Sequence, residues 1–519
     1  MRTFTETICG RSTLALAALT LALTVPAFAR EQLGPFNNVL LNNPYADPAG
    51  GNFGRGVVAG DFDGDGIDDL AVSESGSERL RVLRGVAFDV GGDPLFQFLG
   101  STVTMPRHGY VMATGDFDGD DRDEVAVAYP NVSVSGEVGA GKVFVMNRRP
   151  ADGVWEVQST IQAGAPYPGA PQAGANLGNS LAVGDFDDDG YDDLAIGLRG
   201  QVVDGQDDAG AVMVVYGAVL GINASGAEIF DRDSDGLTFA PREDDYYGWA
   251  LAAGDFDGDN DDDLAIGILN GTCPNGTDRG GAVVLLNGTT SGGGVTTAGS
   301  RVLRPGVQGI GGDCASADNF GGALASGEFG DRGFLETTFA DLAIGAYGTN
   351  GNQGAVHIIF GSAAGLEAAG NQFIGPPALP GIVSGNGRFG DTLAAGPLAY
   401  ECEALGLSCE GDSLAVGAPF ATINGVASAG MVWTFDSGND DEGLLVASAR
   451  PILPLAPLEI GEPHENDQFG SALAIGDFND DGRSDLAIGA YVYDDGGDTD
   501  SGAVQVLYQT DILFRDGFD

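Results

Sequence analysis

Short apolar runs alternate with glycine-rich and acidic turns along most of this chain. Near the middle, the apolar runs 249–253 and 264–266 flank an acidic stretch at 255–263. Short apolar runs bounded by Gly, Asn and Asp are typical of β-strands, and no long amphipathic helical pattern competes with them. The hydrophobic pattern therefore predicts an all-β fold.

This pattern recurs as a repeated unit. Each unit has an aromatic–glycine pair, an apolar run, a loop, a run similar to Asp-Leu-Ala-Ile-Gly, and a third apolar run. Clear pairs lie at 53–54, 247–248, 320–321, 389–390 and 469–470, with looser versions at 109–110 and 177–178. Seven such units predict a seven-bladed β-propeller over residues 30–510. Because a ring must close, residues 36–41 are expected to add the outer strand of the last blade.

Five of the loops have acidic or amide side chains at positions one, three, five and nine. Alternate side chains of an extended segment point to one side, and neighbouring carboxylates repel one another unless a cation lies among them. Oxygen donors on a flexible loop suit Ca²⁺. The predicted side-chain ligands are Asp61, Asp63, Asp65 and Asp69; Asp116, Asp118, Asp120 and Glu124; Asp185, Asp187, Asp189 and Asp193; Asp255, Asp257, Asp259 and Asp263; and Asp477, Asn479, Asp481 and Asp485.

Two other interpretations of these loops compete with metal binding. An EF-hand is excluded because position twelve is Val or Ile inside a predicted strand. Solvated Asp-Gly turns are an alternative, although five loops with one spacing favour a metal. Units five and six keep the strands at 341–345 and 412–417 but have lost the acids, so metal alone does not build the scaffold.

The motifs Phe-Gly, Gly-Asp-Phe-Asp-Gly-Asp and Asp-Leu-Ala-Ile-Gly-Ala resemble the FG-GAP repeat of integrin alpha-subunit propellers, over residues 50–508. The resemblance implies one Ca²⁺ per acidic loop, up to five ions, held between the first two strands of a blade. It also implies that the backbone carbonyl of position seven is a ligand. Those residues are Ile67, Arg122, Tyr191, Asp261 and Arg483. The second loop departs from the pattern, with Asp121 at the usual Gly and Glu124 at the usual Asp.

The formal net charge of −52 disfavours nucleic acid as a partner, because such binding needs a basic surface. Residues 1–29 resemble a secretory signal, with Arg2 and Arg11 before the apolar run 14–25 and an Ala-x-Ala site at 27–29. No later segment is long and apolar enough to span a bilayer. We expect an exported protein, secreted or associated with the cell surface, with the periplasm as an alternative, and a C-terminal tail at 511–519.

Four cysteines would remain after signal cleavage: Cys273, Cys314, Cys402 and Cys409. Export permits disulfides, and four cysteines allow three pairings. Cys402–Cys409 is a plausible local pair, and Cys273–Cys314 would tie neighbouring repeats, but the sequence does not choose among the pairings.

The resemblance implies a propeller that binds a protein or glycan on a cell surface, with the ions in a structural role and the variable loops of the opposite rim carrying recognition. We expect a monomer and no enzymatic activity, since no catalytic motif is found. A hydrolase or lyase acting at the central channel is the alternative. A purely structural surface protein is a third interpretation.

Overall fold

The computed structural model describes residues 38–42, 51–76, 79–87, 96–98, 103–104, 110–234, 237, 240–276, 278–289, 293–307, 309–330, 339–376, 379, 386–398, 411–438, 443–454, 463–494 and 500–509. The expected signal at 1–29, Cys402, Cys409 and the tail at 511–519 lie outside these residues. Within them, no helix has the length and hydropathy of a bilayer-spanning segment.

Almost all regular structure in the described chain is β-strand. The strands in chain order are β1 (Asn38–Asn42), β2 (Phe53–Gly60), β3 (Asp69–Glu74), β4 (Arg79–Gly85), β5 (Phe96–Phe98), β6 (Val103–Thr104), β7 (Val111–Gly115), β8 (Glu124–Tyr129), β9 (Lys142–Arg148), β10 (Trp155–Ile161), β11 (Leu177–Gly184), β12 (Asp193–Leu198), β13 (Ala211–Val215), β14 (Glu228–Asp231), β15 (Tyr247–Gly254), β16 (Asp263–Ile268), β17 (Ala282–Asn287), β18 (Thr296–Leu303), β19 (Phe320–Gly327), β20 (Asp341–Ala346), β21 (Val356–Phe360), β22 (Glu367–Ile374), β23 (Thr392–Gly396), β24 (Ser413–Ala418), β25 (Met431–Phe435), β26 (Arg450–Ile452), β27 (Ala472–Gly476), β28 (Asp485–Ala490) and β29 (Ala503–Leu507). Short helical turns occur at Thr349–Asn352 and Val446–Ser448.

These strands form seven antiparallel sheets in the described chain, which confirms the predicted seven-bladed β-propeller. The innermost strands are β2, β7, β11, β15, β19, β23 and β27, and each packs beside the innermost strands of two neighbouring blades. Because β27 also packs beside β2, the ring is closed.

The seventh sheet combines strands from both ends of the described chain. Its order is β1-β29-β28-β27, and β1 pairs antiparallel with β29, with Leu41 opposite Val504. The expected closing segment at 36–41 overlaps β1, while residues 36–37 lie outside the described chain. The last blade is thus completed by β1, the first strand of the described chain.

The hydrophobic core lies between the faces of adjacent blades. One cluster, for example, packs Ala126 and Val143 of the second blade against Leu194 and Met213 of the third, and all four are fully buried. The second strand of each blade is buried along its whole length, as in β12. This burial on both faces explains why these runs are continuously apolar rather than alternating.

The aromatic–glycine pairs lie at the joints between blades. Phe53 is buried and forms a bridge with Gly502, while Gly54 has φ +82°. A side chain at Gly54 would meet the Ala503 carbonyl oxygen at 2.6 Å. Only glycine satisfies both the left-handed backbone and the close approach. In the first blade, the aromatic–glycine pair begins β2 and the acidic loop follows the other end of this strand.

Candidate metal centres and blade contacts

The acidic loops connect the first and second strands of five blades. In each, the glycine before position one pairs with position nine across the two strands. The pairs are Gly60–Asp69, Gly115–Glu124, Gly184–Asp193, Gly254–Asp263 and Gly476–Asp485. The five loops therefore begin and end at the same points of their strand ladders.

Position two is a phenylalanine in all five loops, and its burial fixes the start of each loop. These residues are Phe62, Phe117, Phe186, Phe256 and Phe478, each at most 1% exposed. Side chains alternate along extended backbone, so burying position two turns positions one and three away from the core. The acids are held on the outer side of the loop by this apolar anchor.

Four loops bring three acidic side chains together. In each group the carboxylate oxygens lie within 4.8 Å of one another. The groups are Asp61, Asp63 and Asp69; Asp116, Asp118 and Glu124; Asp185, Asp187 and Asp193; and Asp255, Asp257 and Asp259. Positions one, three and nine thus converge in three loops, and positions one, three and five converge in the fourth. Charges this close destabilise one another unless protons or a cation compensate them.

The ninth acid is buried at the base of each loop. In the third loop, Asp193 Oδ2 accepts a hydrogen bond from the Phe186 N–H at 2.9 Å, and Oδ1 accepts one from the Gly217 N–H at 2.8 Å. Burial, the largest cause, raises the pKa of the ninth acid to about 8 in Asp69, Asp193 and Asp263 and to about 9 in Glu124 and Asp485.

The first acid organises the turn itself. Asp61 Oδ1 accepts hydrogen bonds from the N–H groups of Gly64 and Asp65, at 2.8 and 3.1 Å, and Oδ2 accepts one from Gly66 at 2.7 Å. Asp65, at position five, accepts a bond from the N–H of Ile67 at 3.1 Å. The backbone therefore curls around the first carboxylate and sets the direction of the fifth.

Position three supplies the observation that most favours metal binding. Asp63, Asp118, Asp187 and Asp257 each have a buried Oδ1 atom without a hydrogen-bond partner. Leaving a buried carboxylate oxygen without a donor is costly. A cation among the loop acids would compensate it, and a donor set made only of oxygen atoms fits Ca²⁺. The residues present therefore fit the ion that the sequence predicts.

The loop of the seventh blade differs because position three is an amide. Asn479 is buried, its side-chain nitrogen donates to Asp485 Oδ2 at 3.2 Å, and its Oδ1 accepts from the Asp481 N–H at 2.9 Å. Asp477 Oδ2 accepts from the Gly482 N–H at 2.9 Å, as the first acid does elsewhere. The turn therefore has the same shape as in the other loops, but it carries three acidic side chains in place of four.

The side chains at position seven lie outside the convergent groups. Arg122 packs on Gly64 and Tyr191 packs on Gly119, so each covers the loop of the preceding blade. Ile67 and Arg483 are partly buried. Asp261 is buried with neither carboxylate oxygen hydrogen-bonded, and burial raises its pKa to about 6.

The FG-GAP repeat family matches residues 53–78, 108–146, 247–286 and 469–507. These segments carry four of the five acidic loops, and they lie in four of the seven blades of the ring. The chain contains FG-GAP repeats.

The chain is also similar to larger proteins with the same repeats. It is 30% identical to integrin alpha-PS2 of Drosophila melanogaster over 225 residues, which is 42% of this chain and 15% of that protein. It is 28% identical to integrin alpha-V of Gallus gallus over 42% of this chain and 20% of that protein. Phosphatidylinositol-glycan-specific phospholipase D of Rattus norvegicus is 33% identical over 32% of this chain and 19% of that protein. The chain thus spans a fifth or less of these relatives.

Sequence reasoning missed the role of the acid at position eight of the FG-GAP loops. Its Oδ2 accepts a hydrogen bond from the N–H of position one in the preceding blade. The pairs are Asp123–Asp61 at 2.9 Å, Asp192–Asp116 at 2.9 Å, Asp262–Asp185 at 3.1 Å and Asp68–Asp477 at 2.8 Å. The signal was present, because aspartate recurs at this position, but its partner lies in another repeat.

The fifth and sixth blades, which lack acidic loops, show which of these contacts persist without them. In the fifth blade, Asp341 still accepts bonds from the N–H groups of Phe329 and Gly361, at 2.9 and 2.8 Å. In the sixth, Asp412 still accepts a bond from the Glu328 N–H at 3.0 Å. The fifth blade thus keeps the acid at position nine and the sixth keeps the acid at position eight, each with its backbone hydrogen bonds, although both blades lack the other loop acids.

Proposed function

We propose that this chain is an exported FG-GAP propeller that binds up to five Ca²⁺ ions and acts as an adhesion or ligand-binding module. The observation that carries the calcium assignment is the unpartnered Oδ1 atom at position three of four loops. The similarity to integrin alpha chains supports a binding role, and residues 1–29 support export by their resemblance to a signal.

In this proposal the ions and the ligand use opposite edges of the ring. Each ion links the first and second strands of one blade, with the predicted carbonyl of position seven completing the set of side-chain ligands. The loops between second and third strands emerge at the other edge. In the described parts of these loops, backbone bridges such as Gly210–Tyr247 join the loop to the next blade. A rigid ring with varied loops is a common basis for recognition. We expect a protein or glycan ligand and a monomeric receptor.

The function is tested by applying the full chain to arrays of extracellular matrix proteins and glycans, in Ca²⁺ and in chelator. We expect retention in Ca²⁺ that weakens in chelator. A matched variant with Asp63→Asn, Asp118→Asn, Asp187→Asn and Asp257→Asn keeps side-chain volume and should behave in Ca²⁺ as the wild type does in chelator. Retention on no protein and no glycan would contradict the binding role, and a melting curve that is identical with and without chelator would contradict the structural ions.

A hydrolase or lyase acting at the central channel is the second candidate, and the similarity to a phospholipase D favours it. One histidine of the described chain does not fit an acid–base role. The His357 ring lies 5.0 Å from the rings of both Phe320 and Phe373, and burial lowers its pKa to about 4. Release of products from phospholipid, peptide or polysaccharide substrates would support this candidate over the binding module.

A further inference from the structure

The first acidic loop faces an arginine of its own third strand, and the other four loops have neutral residues at the matching place. In every loop the residue after position nine pairs with a residue of the third strand, and the residue that follows this partner along the chain stands beside the loop. The ladder pairs are Leu70–Leu83, Val125–Met146, Leu194–Val215, Leu264–Leu286 and Leu486–Leu507. The residues that follow are Arg84, Asn147, Tyr216, Asn287 and Tyr508. Strand register therefore places a charged side chain, Arg84, beside the first loop and a neutral side chain beside each of the other four.

Arg84 contacts two of the predicted calcium ligands directly. Its Nε lies 2.8 Å from Asp63 Oδ2, and its Nη2 hydrogen-bonds to Asp65 Oδ2. The Arg84 side chain is 37% exposed, whereas that of Asp63 is 9% exposed, so the guanidinium reaches inward from the surface. It occupies the side of the loop on which the acids at positions three and five present their oxygen atoms.

Neutral residues take this place elsewhere. In the second loop, Asp118 Oδ2 accepts hydrogen bonds from the amides of Asn147 and Gln158, at 3.4 and 2.9 Å. In the fourth, Asn287 lines a cavity of about 240 Å³ together with Asp257, Asp263 and Arg301, and the Arg301 guanidinium donates a hydrogen bond to the Leu366 carbonyl oxygen at 3.3 Å. An amide can rotate to offer its oxygen to a cation, but a guanidinium has no acceptor. Arg84 therefore competes with Ca²⁺ for the Oδ2 atoms of Asp63 and Asp65.

We propose that Arg84 is an internal counter-ion of the first loop, which holds that loop closed without metal and makes it the weakest of the five Ca²⁺ sites. This inference rests on the calcium binding proposed above. Ca²⁺ must compete with two ion pairs, one of them partly buried, for the oxygen atoms of this loop, which corresponds to about a tenfold loss in affinity. The loop then has two states, one closed by the arginine and one closed by the ion.

The test is calorimetric titration of Ca²⁺ into the metal-free full chain and into Arg84→Gln, with Arg149→Gln as the matched control. Arg149 is also a partly exposed arginine with two acidic partners, Asp152 and Glu156, but it lies outside the loops. We expect Arg84→Gln to gain one tight site, with the weakest site about tenfold tighter, and Arg149→Gln to match the wild type. Arg84→Lys keeps the charge and should retain the weak site.

A second readout separates the possible results. Without metal, Arg84→Gln should melt below the wild type because the first loop has lost its counter-ion, and saturating Ca²⁺ should remove that difference. Equal site numbers and affinities in wild type and Arg84→Gln, with both folded by circular dichroism, would overturn the inference. If none of the proteins binds Ca²⁺, the calcium assignment itself fails, which is a different result.

Discussion

The carboxylate of Asp123, in the second blade, accepts a hydrogen bond from the backbone N–H of Asp61, in the first, at 2.9 Å. The Asp123 N–H donates in return to the Asp61 carbonyl oxygen at 3.0 Å. Asp123 thus makes two hydrogen bonds to the neighbouring blade. Both are with the backbone of Asp61, whose side chain is a predicted calcium ligand. The contact couples the stability of the ring to the geometry of the loops.

Replacing Asp123 by alanine should destabilise the joint between the first two blades. The backbone bond can persist, but the Asp61 N–H loses a charged acceptor, which costs about 2 kcal/mol. Denaturant unfolding at fixed Ca²⁺ concentration measures the loss. Asp123→Asn retains an acceptor oxygen and should lose about half as much. Equal stability of wild type and Asp123→Ala would show that the backbone bond alone holds the joint.

The fourth and fifth blades offer the opposite experiment. Position eight is Ala340 there, and only the backbone bond from its N–H to the Asp255 carbonyl oxygen is formed, at 2.8 Å. Gly254 precedes the loop, as Gly60 does where Asp123 is accommodated. Ala340→Asp should therefore add the missing acceptor and stabilise the chain by about 1 kcal/mol.

Measurement of Ala340→Asp should be made in saturating Ca²⁺, because the new carboxylate adds negative charge near Asp255. Ala340→Asn provides a neutral acceptor of the same size and serves as the control. Stabilisation by neither variant would contradict the role assigned to position eight.

The sequence predicts the blades because each repeat carries its own strand pattern, and it predicts the acidic loops because their donors lie within nine consecutive residues. Contacts between repeats are less accessible to that reasoning. Asp123 meets Asp61 across 62 positions, and Arg84 meets Asp65 across 19. Both distances are set by strand register and by the packing of one blade on the next, which a local pattern does not contain.

The cysteine pairing is another such contact. The structure joins Cys273 to Cys314, closing 41 positions of chain between a loop of the fourth blade and the connection to the fifth. The pair Asp278–Ser316, with 3.0 Å between oxygen atoms, links the same segments. By loop entropy the bond contributes about 4 kcal/mol. The double variant with Cys273→Ser and Cys314→Ser should lose most of this stability in thermal unfolding. Added reductant should destabilise the wild type by breaking this bond, whereas the double variant has no bond here to break.

Calcium binding and pH should be coupled through the buried ninth acids. Burial raises the pKa of Asp69, Asp193 and Asp263 to about 8, and that of Glu124 and Asp485 to about 9, whereas unfolded carboxyls titrate near pH 4. The metal-free folded chain therefore holds more protons than the unfolded chain between these values. The stability that these bound protons give to the metal-free fold is fully present below about pH 4 and is lost as the pH rises through about 8 to 9.

Calcium reverses this trend, because an ion requires the ionised carboxylate and must displace its proton. The rise in melting temperature on adding saturating Ca²⁺ should therefore grow from pH 6 to pH 9, while the melting temperature in chelator falls over the same range. Thermal unfolding at several pH values, with and without chelator, measures both. Asp193→Asn removes one titrating group and should reduce the pH dependence. A calcium shift independent of pH would mean that these acids are already ionised in the metal-free fold.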